Sequence, residues 1–378
     1  MKSKHILFLS SWYPSKLFPF AGDFVQRHAI AASKLNKVSV LHAIKDPEQK
    51  ESFFISKNRT EGVDEIIVYY KHSPFKFLNF LRRFIALKKG FREIENVDIT
   101  HLNVCFPAGL FALYLKQKLK IPYVITEHWT GFREESFQKT NWVERFFIKR
   151  ILKNASKILP VSEDLAKSMR KHALQTPFEV IPNVVFTEYF HPMSKNEHEI
   201  PRFLHLSSLK LEHKNIPGIL NVIKRLAAEN FQFEFHLGGT GDVKYIEEFR
   251  KEHQLERFIF TFGKLSYKEV ALKMNEFDCF VLFSNYENQP CVQTESFACG
   301  LPFIGTDVGG IKEFFPKNFG ILIERGREDQ LYEAMKSVIL GKEFASSEEM
   351  HQYVKDNFSP ERIAKKFDQI YTQLLNEG

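Results

Sequence analysis

The sequence predicts an α/β protein built as two doubly wound, Rossmann-like domains. Three observations carry that expectation. Short apolar runs that read as buried strands alternate with stretches whose apolar residues recur every three or four positions. Glycine-containing loops stand at strand ends, just before helices. The chain of 378 residues is long enough for two cores, and the stretch 190–201 is polar and aperiodic with a proline near each end, as a linker would be. The expected division is residues 1–189, linker 190–201 and residues 202–359.

His5–Leu9 reads as the first strand. It runs into a loop containing Ala21-Gly22, then a helix from Phe24 to about Leu35 and a second strand at Val38–His42. Strand, glycine loop, helix, strand is the opening of a nucleotide-binding α/β domain. Val63–Tyr70 is the next strand. Phe77, Leu81, Phe84, Leu87, Phe91 and Ile94 then follow at helical spacing, with Arg82, Arg83, Lys88, Lys89 and Arg92 on the remaining faces. That pattern predicts an amphipathic helix packed on the sheet with a basic outer side. Asp98–Leu102 and Tyr123–Thr126 read as strands flanking a helix over Pro107–Leu119. The second of them ends in Glu127-His128-Trp129, so His128 stands at a strand's carboxyl end, where ligands bind in such folds. Ser162 is the expected N-cap of a helix that carries Glu163 and Asp164 in its first turn.

In the second half, Arg202–Leu206 opens a new domain and leads into the loop Ser207–Asn215. Phe233–Leu237 ends in Gly238-Gly239-Thr240-Gly241, and Phe258–Phe262 ends in Gly263-Lys264. The stretch 284–313 concentrates the chemistry. Cys279–Phe283 reads as a buried strand, and Glu287 follows on the loop at its end. Glu295 comes after seven intervening residues, on the helix behind. Pro290 sits near that helix's first turn, where its missing N–H costs little, and Gly300 reads as its C-cap. Pro302–Gly305 is the next strand, leading to Gly309-Gly310 and another helix. Two carboxylates can accept hydrogen bonds from sugar or ribose hydroxyls. A glycine pair at a helix N-terminus lets backbone N–H groups approach a phosphate oxygen. These are the parts of half a nucleotide-sugar pocket. Gly320–Ile323 is a late strand, and 360–375 reads as an amphipathic helix.

Composition narrows the function classes. The apolar fraction of 44% and charged fraction of 26% are those of a soluble globular protein. Cys105, Cys279, Cys291 and Cys299 form no Cys-x-x-Cys pair, which argues against a zinc site. Each lies in or beside an apolar stretch, as reduced thiols in a reducing compartment would. The longest apolar run, Val104–Leu115, is broken by Pro107 and Gly109 and falls short of the roughly 20 residues a spanning helix needs. A cytoplasmic protein is expected. Charge is uneven: residues 1–180 hold 30 Lys+Arg against 17 Asp+Glu, a net +13, and residues 181–378 hold 23 against 29, a net −6. A basic half suggests a polyanionic surface as partner. No nucleic-acid recognition motif accompanies it, so the expected surface is an anionic membrane, met through the helix near 76–95.

The ordered set strand, Glu287, seven residues, Glu295, Cys-Gly-Leu-Pro, strand, Gly-Gly resembles the donor-site signature of retaining glycosyltransferases of family 4. The resemblance runs from the first strand to the last helix. It implies the B-type fold, two facing domains with a cleft between them and the final helix 360–378 returning to the first. It implies sugar transfer from a UDP-, GDP- or ADP-sugar to a glycan or lipid-linked acceptor, with retention of configuration, in surface polysaccharide or glycolipid synthesis. His128 matches the family's first-domain histidine near the transferred sugar. Glu287 matches the group on the donor sugar's hydroxyls and Glu295 the group on the ribose. Gly22 matches a glycine that approaches the donor phosphate or the acceptor, Gly309 and Gly310 match glycines near the donor phosphate, and Lys264 lies in the loop that meets the donor base. The family's Arg and Lys that clamp the diphosphate correspond to Ser208 and Lys214. Ser208 departs from the pattern; either Lys210 supplies the second cation or one cation suffices. No cofactor is expected. No Asp-x-Asp occurs anywhere, which predicts independence from divalent metal. Two other readings stay open on sequence alone, a non-catalytic nucleotide-sugar binder and a B-type nucleotide-sugar epimerase.

Overall fold

The computed structural model describes residues 3–377 except 174 and 195–197, with the side chains of residues 134 and 135 also undescribed. The chain forms two compact units, residues 1–184 with 360–378, and residues 185–359. The division falls ahead of the expected position. Val185 and Phe190 are fully buried in the second unit's core, so the chain has already joined that unit before the expected linker begins. Residues 195–197 of that linker lie outside the described residues.

In the first unit the strands are β1 (His5–Ser10), β2 (Lys37–Asp46), β3 (Phe53–Thr60), β4 (Val63–Lys71), β5 (Ile99–Asn103), β6 (Tyr123–Glu127) and β7 (Lys157–Pro160). They form one sheet in the order β3-β4-β2-β1-β5-β6-β7. All neighbours are parallel except β3, which pairs antiparallel with β4 from Phe53↔Tyr70 to Thr60↔Val63. The helices are α1 (Asp23–Ser33), α2 (Lys76–Phe91), α3 (Gly109–Leu119), α4 (Glu134–Lys139), α5 (Trp142–Asn154) and α6 (Glu163–Arg170). Ala86 of α2, Phe111 of α3 and Ile148 of α5 share one apolar cluster with Leu7, Leu41 and Leu102 of the sheet, so these helices cover one face. The chain's last helix, α14 (Pro360–Asn376), belongs to this unit. His101 of β5 bonds Tyr371 Oη at 2.5 Å, and Lys4 pairs with Asp368 at 2.7 Å. Ser162 caps α6 through Leu165 N–H, as its sequence position requires.

The helix α2 departs from the expected packing. Only Ala86, Leu87 and Gly90 are buried. Phe75 and Phe77 are 67% and 68% exposed, and Leu78, Phe80, Leu81 and Ile85 stand out with them. Arg82 donates to the carbonyls of Lys71 and His72, and Arg83 to Tyr70 Oη, so part of the basic side fastens the helix to β4.

The second unit carries β8 (Arg202–Ser207), β9 (Glu234–Gly239), β10 (Ile259–Phe262), β11 (Cys279–Leu282), β12 (Phe303–Thr306) and β13 (Gly320–Ile323), in the order β10-β9-β8-β11-β12-β13. Every neighbouring pair is parallel. Its helices are α7 (Leu211–Lys214), α8 (Ile216–Ala228), α9 (Lys244–Glu252), α10 (Tyr267–Met274), α11 (Cys291–Ala298), α12 (Glu328–Ile339) and α13 (Ser347–Phe358). One core cluster packs α8 and α12 on the sheet, another α10, α11 and α13. Each unit is thus a mainly parallel sheet between two helical layers, the doubly wound arrangement the alternating pattern predicts. No described helix is long and apolar enough to cross a membrane.

Candidate functional site

The second unit gathers its polar groups at the carboxyl end of β11, the place where open parallel sheets bind ligands. The buried apolar strand stops at Leu282, and the loop Phe283–Pro290 carries Glu287. Lys214, the last residue of α7, points its ammonium at Glu287 Oε1, and the two side chains are only 11% and 9% exposed. Ser284 Oγ donates to the same oxygen at 2.7 Å. A carboxylate out of water with a cation and a hydroxyl on one oxygen is held in one orientation. His213, next to Lys214, has its pKa lowered, first by burial and then by that lysine.

Behind the loop, Pro290 is the N-cap of α11, which places Glu295 in the helix and buries it to 4% exposure. The helix ends as a Schellman turn: Gly300 takes φ +67°, its N–H donates to Phe297 O, and Leu301 N–H donates to Ser296 O. The loop after β12 is tied to the same place, because Gly310 N–H donates to Asn288 O at 2.6 Å. Gly309 takes φ +60°. The helix expected after this glycine pair is only a 3-10 turn at Lys312–Phe314, since Pro316 stops it. With that helix missing and one glycine N–H already engaged, the turn offers an anion less than the sequence suggested.

Ser208 is half-buried on the loop after β8, and Lys210 is exposed at the N-cap of α7. Lys264 is exposed on the loop after β10, at the sheet's edge. Among the cations named from sequence, Lys214 meets Glu287 directly.

In the first unit, β6 ends at Glu127, and His128 follows at once. Glu127 is fully buried. Its Oε1 accepts the N–H groups of His128 and Trp129, both at 2.8 Å, and its Oε2 accepts Cys105 N–H at 2.8 Å. Burial pushes its carboxyl up to about 7, against the pull of these three donors. One carboxylate thereby joins the loops after β5 and β6 and fixes the backbone from which His128 projects. The His128 ring lies 4.3 Å from Phe24 and 5.4 Å from His28, centroid to centroid. Burial, then His28, His101 and Arg27, hold its pKa well below the usual histidine value. It is neutral at pH 7, able to donate from one nitrogen and accept at the other.

Gly22 forms the N-cap of α1 at φ +72°. A Cβ there would come within 2.5 Å of the Trp12 carbonyl. The sequence alone does not single out Glu127 or Ser284. Each adjoins or nearly adjoins a flagged residue at a strand end, and that position is the signal that could have found them. The described residues contain no group of three or more His, Cys, Asp or Glu side chains able to hold a metal, and Cys105, Cys279 and Cys299 are buried while Cys291 is half-buried.

Two mainly parallel, doubly wound units with polar groups gathered at the strand ends make a ligand-binding type of fold, and comparison with known proteins gives its family. Residues 25–189 match the family profile described as Glycosyltransferase Family 4, and residues 191–358 match that described as Glycosyl transferases group 1. The chain belongs to these glycosyltransferases. The glycosyltransferase MJ1178 of Methanocaldococcus jannaschii is 26% identical over 366 residues, covering 96% of this chain and 97% of that protein. Sucrose-phosphate synthase from Thermosynechococcus elongatus superposes with a TM-score of 0.80 at 18% identity, over 100% of both chains. Anabaena Alr3699/HepE, solved with UDP-glucose, gives 0.71 at 14% identity, over 98% of this chain and 99% of that one. These neighbours establish the fold as that of the B-type glycosyltransferases.

Proposed function

We propose that the protein transfers a sugar from a nucleotide-activated donor, with retention of anomeric configuration and without a metal ion, to a glycan or lipid-linked acceptor in surface polysaccharide or glycolipid synthesis. The observation that carries this reading is the Glu287–Lys214 pair at the end of β11 with Glu295 buried on α11 behind it. Glu295 accepts the ribose hydroxyls. Glu287 accepts the donor sugar's hydroxyls and hands Lys214 to the diphosphate as the donor enters. Negative charge grows on the leaving diphosphate in the transition state, and a cation already held in place costs no reorganisation at that moment. His128, neutral, donates to the transferred sugar. No side chain is assigned as a covalent nucleophile, so the leaving phosphate itself assists the acceptor on the same face. UDP is the first donor nucleotide to test, because the HepE neighbour was solved with UDP-glucose. The acceptor is reached at an anionic membrane surface, a reading supported by the +13 charge of residues 1–180 and the apolar, basic outer side of α2.

Hydrogen bonds to charged groups contribute roughly 1.5–3 kcal/mol each. Glu295→Ala should therefore weaken nucleotide-sugar binding about ten- to a hundred-fold by titration calorimetry. Glu287→Ala should lower turnover of labelled donor while binding free nucleotide nearly as before. Unchanged affinity and turnover in both variants would remove this reading. Activity should also survive excess EDTA. Its loss, with recovery on adding magnesium or manganese, would mean that the phosphate site needs a cation these residues do not replace.

A further inference from the structure

The first unit carries a second apolar and basic feature, on the opposite flank from α2. α4, α5 and the turn after α6 enclose a groove of about 480 Å³ lined by Phe137, Trp142, Arg145, Phe146, Lys149 and Lys171. It continues into a second hollow of about 300 Å³ that shares Lys149 and Lys171 and adds Lys153. Arg145, Lys149 and Lys153 have no carboxylate partner among the described residues. Phe137 is buried in the core, but Trp142 and Phe146 are not folded inward. Trp142 is 74% exposed and Phe146 57%, with Val143 standing beside them, so one turn of α5 forms an apolar crest. Amines below an exposed tryptophan crest suit the interface of an anionic bilayer, where the indole sits at headgroup depth and cations meet lipid phosphates.

Topology supports one orientation for this crest. α2 and α5 cover the same face of the sheet. α2 starts after β4 and α5 after β6, so both have their amino-terminal turns at the sheet's carboxyl edge. The exposed aromatic residues of both helices lie in those turns or just before them. A chain of rings links the groove to the His128 loop: Trp129 to Phe132 at 5.5 Å, Phe132 to Phe137 at 5.8 Å, and Phe137 stacked on His172 at 4.0 Å. We propose that the α4–α5 groove is a membrane-docking site that takes the phosphate headgroups of anionic lipids while Trp142 and Phe146 enter the bilayer interface. This deepens the proposed function, and rests on its membrane-held acceptor. α2 and α5 then act as two feet, with the edge that carries His128 turned to the lipid.

The test is sedimentation with vesicles of phosphatidylglycerol mixed into phosphatidylcholine, and with phosphatidylcholine alone. The wild-type protein should bind the anionic vesicles, release them as salt rises, and shift its tryptophan emission to the blue on binding. Trp142→Ser with Phe146→Ser, and separately Lys149→Gln with Lys171→Gln, should each weaken vesicle binding at least fivefold, with the far-UV spectrum and vesicle-free donor turnover unchanged. Inorganic phosphate should displace the protein no better than sodium chloride of equal ionic strength. Wild-type affinity in both double variants, or specific displacement by free phosphate, would overturn the groove as a lipid site. So would failure of the wild-type protein to bind anionic vesicles, whether or not it binds a homopolymeric RNA. Donor turnover without vesicles reads the transferase assignment separately. Its absence would strike that assignment and leave the vesicle result standing.

Discussion

A single atom separates Gly22 from any other residue at its position. Its φ of +72° is costly for a side chain, and a Cβ would also meet the Trp12 carbonyl carbon and oxygen at 2.5 Å. Neither obstacle is a flexible side chain that could swing away. Gly22→Ala should therefore destabilise the first unit by more than about 2 kcal/mol, read as a lower urea midpoint. Retained stability would mean that the loop from Trp12 to Gly22 yields more easily than this contact implies. Sequence marks Gly22 as a glycine near a ligand, and the structure adds a reason of its own in the close backbone approach. Glu127 teaches the reverse. Nothing in Thr126-Glu127-His128 announces a carboxylate buried among three backbone donors, because the Cys105 N–H it accepts lies 22 positions away. Glu287 and Glu295 are legible for the opposite reason. Their place follows from a local order of strand, loop and helix that spacing alone preserves.

At the level of elements, periodicity identifies α2 but not its exposed side. An apolar repeat of three to four residues fixes a helix and a stripe, yet it cannot say whether the stripe meets a core or remains uncovered. In α2 the carboxyl-terminal turns pack and the amino-terminal turns do not. β3 is hard to see in the sequence because its outer half, Ser56–Thr60, is polar and charged, as suits an edge strand. Its turn into β4 at Glu61-Gly62, with φ of +46° and +86°, is nonetheless the two-residue hairpin form. The stretch after Gly309-Gly310 shows how one residue can decide an element. Ile311, Phe314 and Phe315 invite a helix, and Pro316 ends it after a single turn. By contrast Pro290, Gly300 and Ser162 act where local chemistry says they should, because capping depends on neighbours in sequence.

For the whole molecule, the buried histidines set a dependence on pH that no single strand or helix reveals. Burial lowers His28, His42 and His205 to about 4 and holds His101 and His128 well below their usual value. In His205 burial outweighs the hydrogen bond to the Val281 carbonyl, which pulls the other way. The unfolded chain takes protons on these rings below about 6.5, and the folded chain does so only near 4 or lower. Between those limits the unfolded state binds more protons, so stability rises with pH and is lost as pH falls. For a histidine held at about 4, the full difference is roughly 3 kcal/mol. Glu127 acts in the opposite sense. Its carboxyl is raised to about 7, so between about 4.5 and 7 the folded state holds the extra proton, and this one group loses stability as pH rises. These fully buried histidines outweigh the one glutamate, so the sign is clear: the protein should weaken steadily from pH 6.5 towards pH 4. Unfolding at pH 5.5 should be accompanied by a net uptake of protons, measured by calorimetry in buffers of different ionisation enthalpy. Release of protons at that pH, or a midpoint that stays level down to pH 5, would mean that these imidazoles are hydrated and titrate as they do in the unfolded chain.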